Sequence, residues 1–173
     1  KHYTLSRNCT PQLKYENLFR THVGDEIYSE VVCACASAIS QFEIYTWSKY
    51  MPLTGNFIDC RGSMINFSPI GRNANFEQRR LWVDLDKKYK IRSTIVESFS
   101  ELFKGKPIVF KMGGETSIDI FPAGWDKTYV LKNFNHNDEL WFFGDKCRDM
   151  GNDKELYDAI ALRNAGGSFE TTG

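Results

Sequence analysis

Carboxylates and an amide follow a short apolar run late in the sequence. The run Leu140–Phe143 leads into Gly144-Asp145, and Asn152-Asp153 stands a few residues later. Ligands collect where the strands of open α/β sheets end, and Mg²⁺ prefers hard oxygen ligands, usually carboxylates together with water and phosphate. Asp145 is therefore the first candidate for a metal ligand. An ordinary solvated turn is the alternative, because Gly, Asn and Asp all favour turns.

A group of arginines suggests an anion site elsewhere in the chain. They stand on a predicted hairpin, in the loop after it and on the following helix: Arg61, Arg72 and Arg79. The planar fork of arginine binds phosphate oxygens in pairs, so convergence on one anion is favoured. The alternative is a set of rim arginines paired with Asp and Glu. Groups suited to sugar hydroxyls lie on the same strand faces: Asn66, Ser117 and Asp119.

The composition is that of a globular protein. The 173 residues are 42% hydrophobic, and 22 Lys and Arg balance 22 Asp and Glu. A neutral chain argues against nucleic acid as the partner, since that binding needs a basic surplus. No apolar run approaches the roughly 20 residues of a membrane-spanning helix. The odd number of cysteines without zinc spacing favours thiols in a reducing compartment, so a cytoplasmic location is expected.

Periodicity predicts an α+β unit over Phe19 to Pro122. Its apolar residues recur at helical or alternating spacing. The predicted elements are a helix within 24–48, a hairpin over 57–68 that turns at Gly62-Ser63, a helix capped by Asn75 and Gln78, a helix over 91–103, and a hairpin over 108–121 that turns at Gly113-Gly114. Helices would cover the apolar face of an antiparallel sheet.

The last fifty residues change character. Residues 125–143 predict a helix and a short buried strand, 152–161 predict a helix, and Gly166-Gly167 leads toward another strand. This part of a sheet should pair with strands from sequence absent here. Lys127 opens the first of these helices, where a lysine can bridge a phosphate and a carboxylate. A solvated lysine is the alternative.

Ordered blocks of the sequence resemble one protein family. The run Phe57–Arg72 closely resembles the cap of eukaryotic-type phosphomannomutases. Later blocks recur in the same order and near the same spacing: Leu85-Asp86-Lys87-Lys88, Gly113-Gly114 with Ser117–Pro122, Gly124-Trp125-Asp126-Lys127 and Phe142-Phe143-Gly144-Asp145-Lys146. The resemblance covers about Phe57 to Asp158.

The resemblance implies a fold of the haloacid-dehalogenase (HAD) superfamily, in which an inserted cap binds substrate above a Rossmann-like core. Residues 1–18 would end a first core segment, and 19–122 would form an α+β cap, with an antiparallel sheet and helices on one face, for substrate binding and dimerisation. Residues 123–173 would form an incomplete second segment of the α/β core.

The nucleophile motif of this superfamily, D-x-D-x-T, does not occur among the 173 residues. Asp84-Leu85-Asp86 lies in a predicted helix, is followed by Lys and is expected to be solvated. We expect the nucleophile to precede Lys1 and the last core strand and helix to follow Gly173. A polypeptide limited to these residues would then be inactive, since covalent transfer needs that carboxylate.

The resemblance also implies roles for individual side chains. The distal phosphate and the sugar would be bound by cap residues: Arg61, Asn66, Arg72, Arg79, Ser117 and Asp119. Lys127 would stabilise a phosphoaspartate, and Asp145 would bind Mg²⁺ with the support of Asn152 and Asp153. This metal loop departs from the family at Asp149-Met150, where Pro-Gly is usual.

The implied reaction interconverts mannose 6-phosphate and mannose 1-phosphate through a phosphoaspartate and a hexose bisphosphate, and it supplies mannose metabolism and GDP-mannose synthesis. Mg²⁺ would be the cofactor, hexose 1,6-bisphosphate the activator, a phosphorylated hexose the substrate, and the cap the contact of a homodimer. Two alternatives stay open. One is a HAD sugar-phosphate phosphatase, and the other is a non-catalytic module for sugar-phosphate binding or dimerisation.

Overall fold

The computed structural model describes residues 3–5, 13–15, 17–41, 53–135, 137–144, 147, 153–163 and 168–170. The chain divides into two compact units, Lys1–Ala123 and Gly124–Gly173. Two predicted metal ligands, Asp145 and Asn152, lie outside the described residues, and their assignment stays a prediction. The assignment of residues 1–18 to a core segment also stays a prediction.

The described part of the first unit contains both strands and helices. In chain order they are β1 (Tyr3–Leu5), β2 (Leu13–Tyr15), α1 (Leu18–Val23), α2 (Asp25–Gln41), β3 (Ile58–Cys60), β4 (Ile65–Phe67), α3 (Phe76–Tyr89), α4 (Ile91–Leu102), β5 (Ile108–Gly113) and β6 (Ser117–Pro122). Strands β3 to β6 form one antiparallel sheet in the order β3-β4-β6-β5, and β1 pairs with β2 separately. Across the ranges that the structure describes, no helix is long and apolar enough to cross a bilayer.

The apolar face of this sheet packs under helices. On β4 and β6 the inward residues Ile65, Phe67, Ile118 and Ile120 are at most 1% exposed. Helices α1, α2 and α4 cover them with Phe19, Val31, Cys35 and Phe99. Full burial of such a side chain stabilises the fold by about 1.5–3 kcal/mol. The predicted α+β arrangement is therefore confirmed.

Local sequence signals set the ends of the elements that carry the polar face. The Asn75 side chain accepts a hydrogen bond from the Gln78 N–H at 2.9 Å, and the Gln78 side chain accepts one from the Asn75 N–H at 2.8 Å. This is the predicted capping box, which satisfies two N–H groups that a helix start leaves unpaired. Helices α3 and α4 meet at Lys90, whose φ of +55° turns the chain between them.

The two predicted hairpins form with one difference. The first turns at Gly62-Ser63, and the Arg61 N–H donates to the Met64 carbonyl at 2.8 Å. In the second, Gly113 pairs with Ser117, so Gly113 belongs to β5 and the loop is Gly114–Thr116. Both glycines have the backbone freedom that a turn needs. The pairing of Gly113 with Ser117 leaves only Gly114 of the two in the loop.

The second unit contains a 3₁₀ helix (Lys127–Asn133), β7 (Phe142–Gly144), α5 (Lys154–Arg163) and β8 (Ser168–Glu170). Strands β7 and β8 are parallel, as expected for strands joined through a helix. The predicted strand is present, but the prediction that it is buried is wrong for Phe143, which is 64% exposed. In the part of the unit that the structure describes, α5 packs on Leu140 and Phe142 through Leu156 and Ile160.

Candidate anion-binding site

A row of polar side chains crosses all four strands of the sheet. Strand pairing sets Asp59 opposite Asn66, Asn66 opposite Asp119, and Asp119 opposite Lys111. Side chains alternate between the faces of a strand, so these four lie on the face opposite the apolar core. Directly paired residues have Cβ atoms about 5 Å apart. The sheet thus forms a polar platform with charges of both signs.

Asn66 is the centre of this row. Its Nδ2 donates to the Ser117 hydroxyl at 2.9 Å and to Asp119 Oδ1 at 2.6 Å, and its Oδ1 accepts from Arg72 Nη1 at 2.7 Å. The residue is 2% exposed. A buried amide with this many partners has one orientation, because an unpaired polar group in the interior is costly. Asn66 therefore fixes one end of the Arg72 guanidinium.

Asp59 joins two of the predicted arginines. Arg61 Nε donates to Asp59 Oδ2 at 2.9 Å, and Arg72 Nε lies 3.4 Å from the same oxygen. All three side chains are about one third exposed, at 34–37%. Two of the three arginines therefore meet at one carboxylate, which is the ion pairing of the second alternative, and their convergence on an anion stays a prediction.

Arg79 binds to the loop that carries Arg72. Its Nε donates to the Ala74 carbonyl at 2.9 Å, and its Nη2 donates to the Arg72 carbonyl at 3.1 Å. These contacts hold an exposed guanidinium beside the backbone of Arg72. The six predicted binding residues are thus linked to one another through Asp59, Asn66 and the backbone of Arg72.

Gly71 shapes the turn that presents Arg72. Its φ is +94°, and a Cβ at this position would lie 2.3 Å from the Gly55 carbonyl oxygen. Only glycine fits where two backbones approach this closely. The Arg72 N–H then donates to the Asn56 carbonyl at 3.2 Å. The loop is packed against residues 54–56, so the backbone position of Arg72 is fixed.

Gly113 makes room for the Asp119 carboxylate. A Cβ on Gly113 would lie 2.6 Å from Asp119 Cγ. The carboxyl group therefore lies against the α-carbon of its neighbour on β5. Asp119 Oδ1 is in this way directed to Asn66.

In the second unit, Lys127 contacts Asp153. Asp126 caps the 3₁₀ helix through the Thr128 N–H at 2.8 Å, and Lys127 is the first helical residue. The Lys127 ammonium donates to the Asp153 carboxylate. The Asp153 side chain is 12% exposed and immediately precedes α5. Of the residues open to description, no group of three His, Cys, Asp or Glu could hold a metal.

Some residues of the polar site were missed by sequence reasoning. Asp59 and Lys111 stand on the predicted polar faces, and strand register would have placed both in the row. The prediction that Asp86 is solvated is wrong: it is 7% exposed and pairs with Arg92 at 2.8 Å. The pairing comes from the tight α3–α4 junction, which no sequence motif marks. Asp84 is exposed, as predicted.

The sequence of the chain matches one family of known proteins. A family model described as eukaryotic phosphomannomutase matches residues 3–168. The chain belongs to this family. It is 42% identical to the phosphomannomutase of Schizosaccharomyces pombe, over 80% of this chain and 52% of that protein. The resemblance of the sequence blocks to phosphomannomutases is thereby confirmed.

Other phosphomannomutases match over similar ranges. The protein of Encephalitozoon cuniculi is 41% identical over 78% of this chain and 51% of its own length. Human phosphomannomutase 1 is 35% identical over 90% of this chain and 60% of its own length. The chain therefore spans between half and three fifths of these phosphomannomutases.

Proposed function

We propose that the full-length protein is a phosphomannomutase, an isomerase that interconverts mannose 6-phosphate and mannose 1-phosphate. Family membership supports this activity. The observation that carries the proposal is the convergence of Arg61 and Arg72 on Asp59, next to Asn66. Two phosphate-binding side chains there adjoin groups that bind hydroxyls. GDP-mannose synthesis in the cytoplasm would consume the product.

The arginines suit a substrate that reverses its orientation between two half-reactions. A hexose 1,6-bisphosphate presents one phosphate to the nucleophile while the cap binds the other. A guanidinium binds the three oxygens of either phosphate in the same way, so Arg61 and Arg72 do not depend on which carbon carries it. Incoming phosphate oxygens would replace the Asp59 carboxylate as their partner.

Neutral and acidic groups of the row would bind the sugar. Ser117 offers a hydroxyl, and Asp119 has a second carboxylate oxygen beside the one that Asn66 contacts. Sugar hydroxyls donate to carboxylates and accept from amides and hydroxyls. The row thus provides partners of both kinds within reach of the arginines.

The second unit would supply part of the HAD core. Asp145, Asn152 and Asp153 suit Mg²⁺ by the chemistry of their donor set, since carboxylate and amide oxygens are hard ligands. When bound, Mg²⁺ would neutralise charge on the transferring phosphoryl group. Lys127, held by Asp153, would place an ammonium beside that phosphoryl group.

Homodimerisation through the cap is part of the proposal and rests on family resemblance. In this chain the inner face of α2 is used within the cap, since Val31 and Cys35 are fully buried. An interface would therefore need other surfaces of the unit. Sedimentation of the full-length protein at micromolar concentration should give a dimer, and a monomer would contradict this part.

Turnover of the full-length protein separates the proposed activity from its alternatives. Phosphorus NMR would follow mannose 1-phosphate with Mg²⁺ and hexose 1,6-bisphosphate. A mutase produces mannose 6-phosphate with no stoichiometric release of inorganic phosphate. Release of inorganic phosphate would show a HAD phosphatase instead. Binding of either sugar phosphate without any turnover would favour the non-catalytic module.

A further inference from the structure

A buried ion pair joins the end of α3 to the start of α4. Arg92 stands in the first turn of α4 and Asp86 near the end of α3, on either side of Lys90. Asp86 Oδ2 accepts from Arg92 Nε, and Asp86 Oδ1 accepts from the Arg92 N–H, both at 2.8 Å. The two side chains are 9% and 8% exposed. The carboxylate therefore fixes both the backbone and the guanidinium of Arg92.

The far end of this guanidinium contacts the loop between β5 and β6. Nη1 of Arg92 lies 3.2 Å from the Gly113 carbonyl oxygen, 3.1 Å from that of Gly114 and 3.0 Å from that of Ser117. One nitrogen thus donates to carbonyls on both sides of the loop. These contacts set where β5 ends and where β6 begins.

Hydrogen bonds continue from this loop to the site. The Ser117 hydroxyl donates to the Gly113 carbonyl at 3.0 Å and accepts from Asn66 Nδ2 at 2.9 Å. Asn66 Oδ1 then accepts from Arg72 Nη1 at 2.7 Å. A displacement of the Ser117 backbone would move its hydroxyl and the Asn66 amide that orients Arg72.

We propose that Arg92, held by Asp86, is a positioning residue of the anion-binding site that acts through Ser117 and Asn66 on Arg72. The proposal rests on the proposed function for the identity of the anion, a hexose phosphate. An apolar residue would leave the Asp86 carboxylate and the loop carbonyls without this donor, and the ammonium of a lysine could not reach all of them at once. The fork of the guanidinium instead reaches a carboxylate on one side and three carbonyls on the other.

Arg92→Lys tests this role in the full-length protein. Lysine keeps the charge but lacks the planar fork, so it cannot bind Asp86 and the three carbonyls together. Mannose 6-phosphate affinity, measured by calorimetry, should fall about tenfold, the effect of one weakened charge-assisted contact. Arg80→Lys, an exposed arginine of α3, is the matched control and should leave the affinity unchanged.

Two further readouts separate positioning from simple destabilisation. In an Arg72→Ala background, Arg92→Lys should have much less effect, since its action passes through Arg72. If the two substitutions acted independently, their fold-losses in affinity would instead multiply to within about twofold. The NMR signal of the Asn66 side-chain amide should also shift in Arg92→Lys and not in Arg80→Lys. Asp86→Asn, which frees the other end of Arg92, should give the same shift and replaces Arg92→Lys if that variant does not fold.

Unchanged affinity together with an unchanged Asn66 amide signal in the folded variant would overturn the proposal, and so would full multiplication of the two effects. If the unaltered protein binds no mannose 6-phosphate, the proposed function fails. The Asn66 amide signal then decides the role of Arg92 by itself.

Discussion

The Asp59 carboxylate lies 3.4 Å from Nε of Arg72, and the same Oδ2 atom accepts a hydrogen bond from Arg61. One acidic group thus holds two guanidinium groups together. Under the proposed function, phosphate oxygens would replace this carboxylate beside the two guanidinium groups. Asp59 therefore holds the two arginines together and, under that proposal, would compete with the phosphate.

Asp59→Asn should raise the affinity for mannose 6-phosphate. Asparagine keeps an oxygen that accepts from arginine but removes the negative charge that repels phosphate. The gain should be about two- to tenfold at low ionic strength, and it should shrink at higher salt because partly exposed charges are screened. Calorimetric titrations at two salt concentrations measure this. Weaker binding at both would mean that orientation of the arginines by Asp59 outweighs repulsion.

Gly113→Ala should weaken sugar-phosphate binding while the protein stays folded. The added methyl group would meet the Asp119 carboxylate, and the carboxylate is the movable end of its side chain. We expect Asp119 to leave Asn66, with a loss of about tenfold in affinity from the disrupted charged contact.

Gly114→Ala, at the next position and in the loop between β5 and β6, is the matched control. Its φ of +46° makes alanine strained, but the space around its Cβ is open. A loss of affinity caused by loop strain would appear in both variants, whereas displacement of Asp119 would appear only in Gly113→Ala. Equal losses would contradict the proposed displacement.

Cys35 and Cys33 should differ in reactivity although they lie on the same helix. Burial raises the pKa of the Cys35 thiol to about 12, and Cys33 is exposed. The thiolate is the reactive form, so iodoacetamide at pH 8 to 9 should label Cys33 and leave Cys35 free of label. Peptide mass spectrometry reads both sites. In denaturant both should react, and equal labelling of the native protein would contradict the burial of Cys35.

The raised pKa of the Cys35 thiol makes the free energy of unfolding depend on pH. The unfolded thiol has a pKa near 9, so between pH 9 and 12 the unfolded state loses a proton that the folded state keeps. The contribution of this group to the free energy of unfolding is complete below pH 9 and declines as the pH rises toward 12. Cys35→Ala should therefore show a smaller loss of stability over that range than the unaltered protein.

Elements with local signals could be predicted from the sequence. The Asn75–Gln78 capping box and the Gly62-Ser63 turn each lie within a few residues, and both form as expected. Alternation also separated the polar from the apolar faces of the strands. The polar face of the first hairpin also predicts that Arg61 and Arg72 come together, because both residues follow that face.

Features that depend on distant backbone groups could not be predicted. Arg92 donates to carbonyls 21 to 25 positions away. Every residue has a backbone carbonyl, so the sequence does not indicate which of them accept from Arg92. Asp86 stood in a charged helical stretch and was expected to be solvated, but the junction at Lys90 brings it to Arg92. The role of Asp59 as the shared partner of Arg61 and Arg72 can be recognised only from the positions of both arginines.

Under the proposed function, Arg61, Arg72 and Arg79 form one phosphate site that is used by both hexose phosphates. The most direct test is the affinity of full-length Arg72→Ala for mannose 6-phosphate and for mannose 1-phosphate, by calorimetry. Loss of a charge-assisted contact should cost about 1.5–3 kcal/mol, or roughly tenfold to a hundredfold for each sugar. Asp145→Ala, altered at the proposed metal ligand, is the comparison and should keep both affinities while Mg²⁺-dependent turnover is lost. Unchanged affinity of Arg72→Ala for both sugar phosphates would contradict a shared phosphate site.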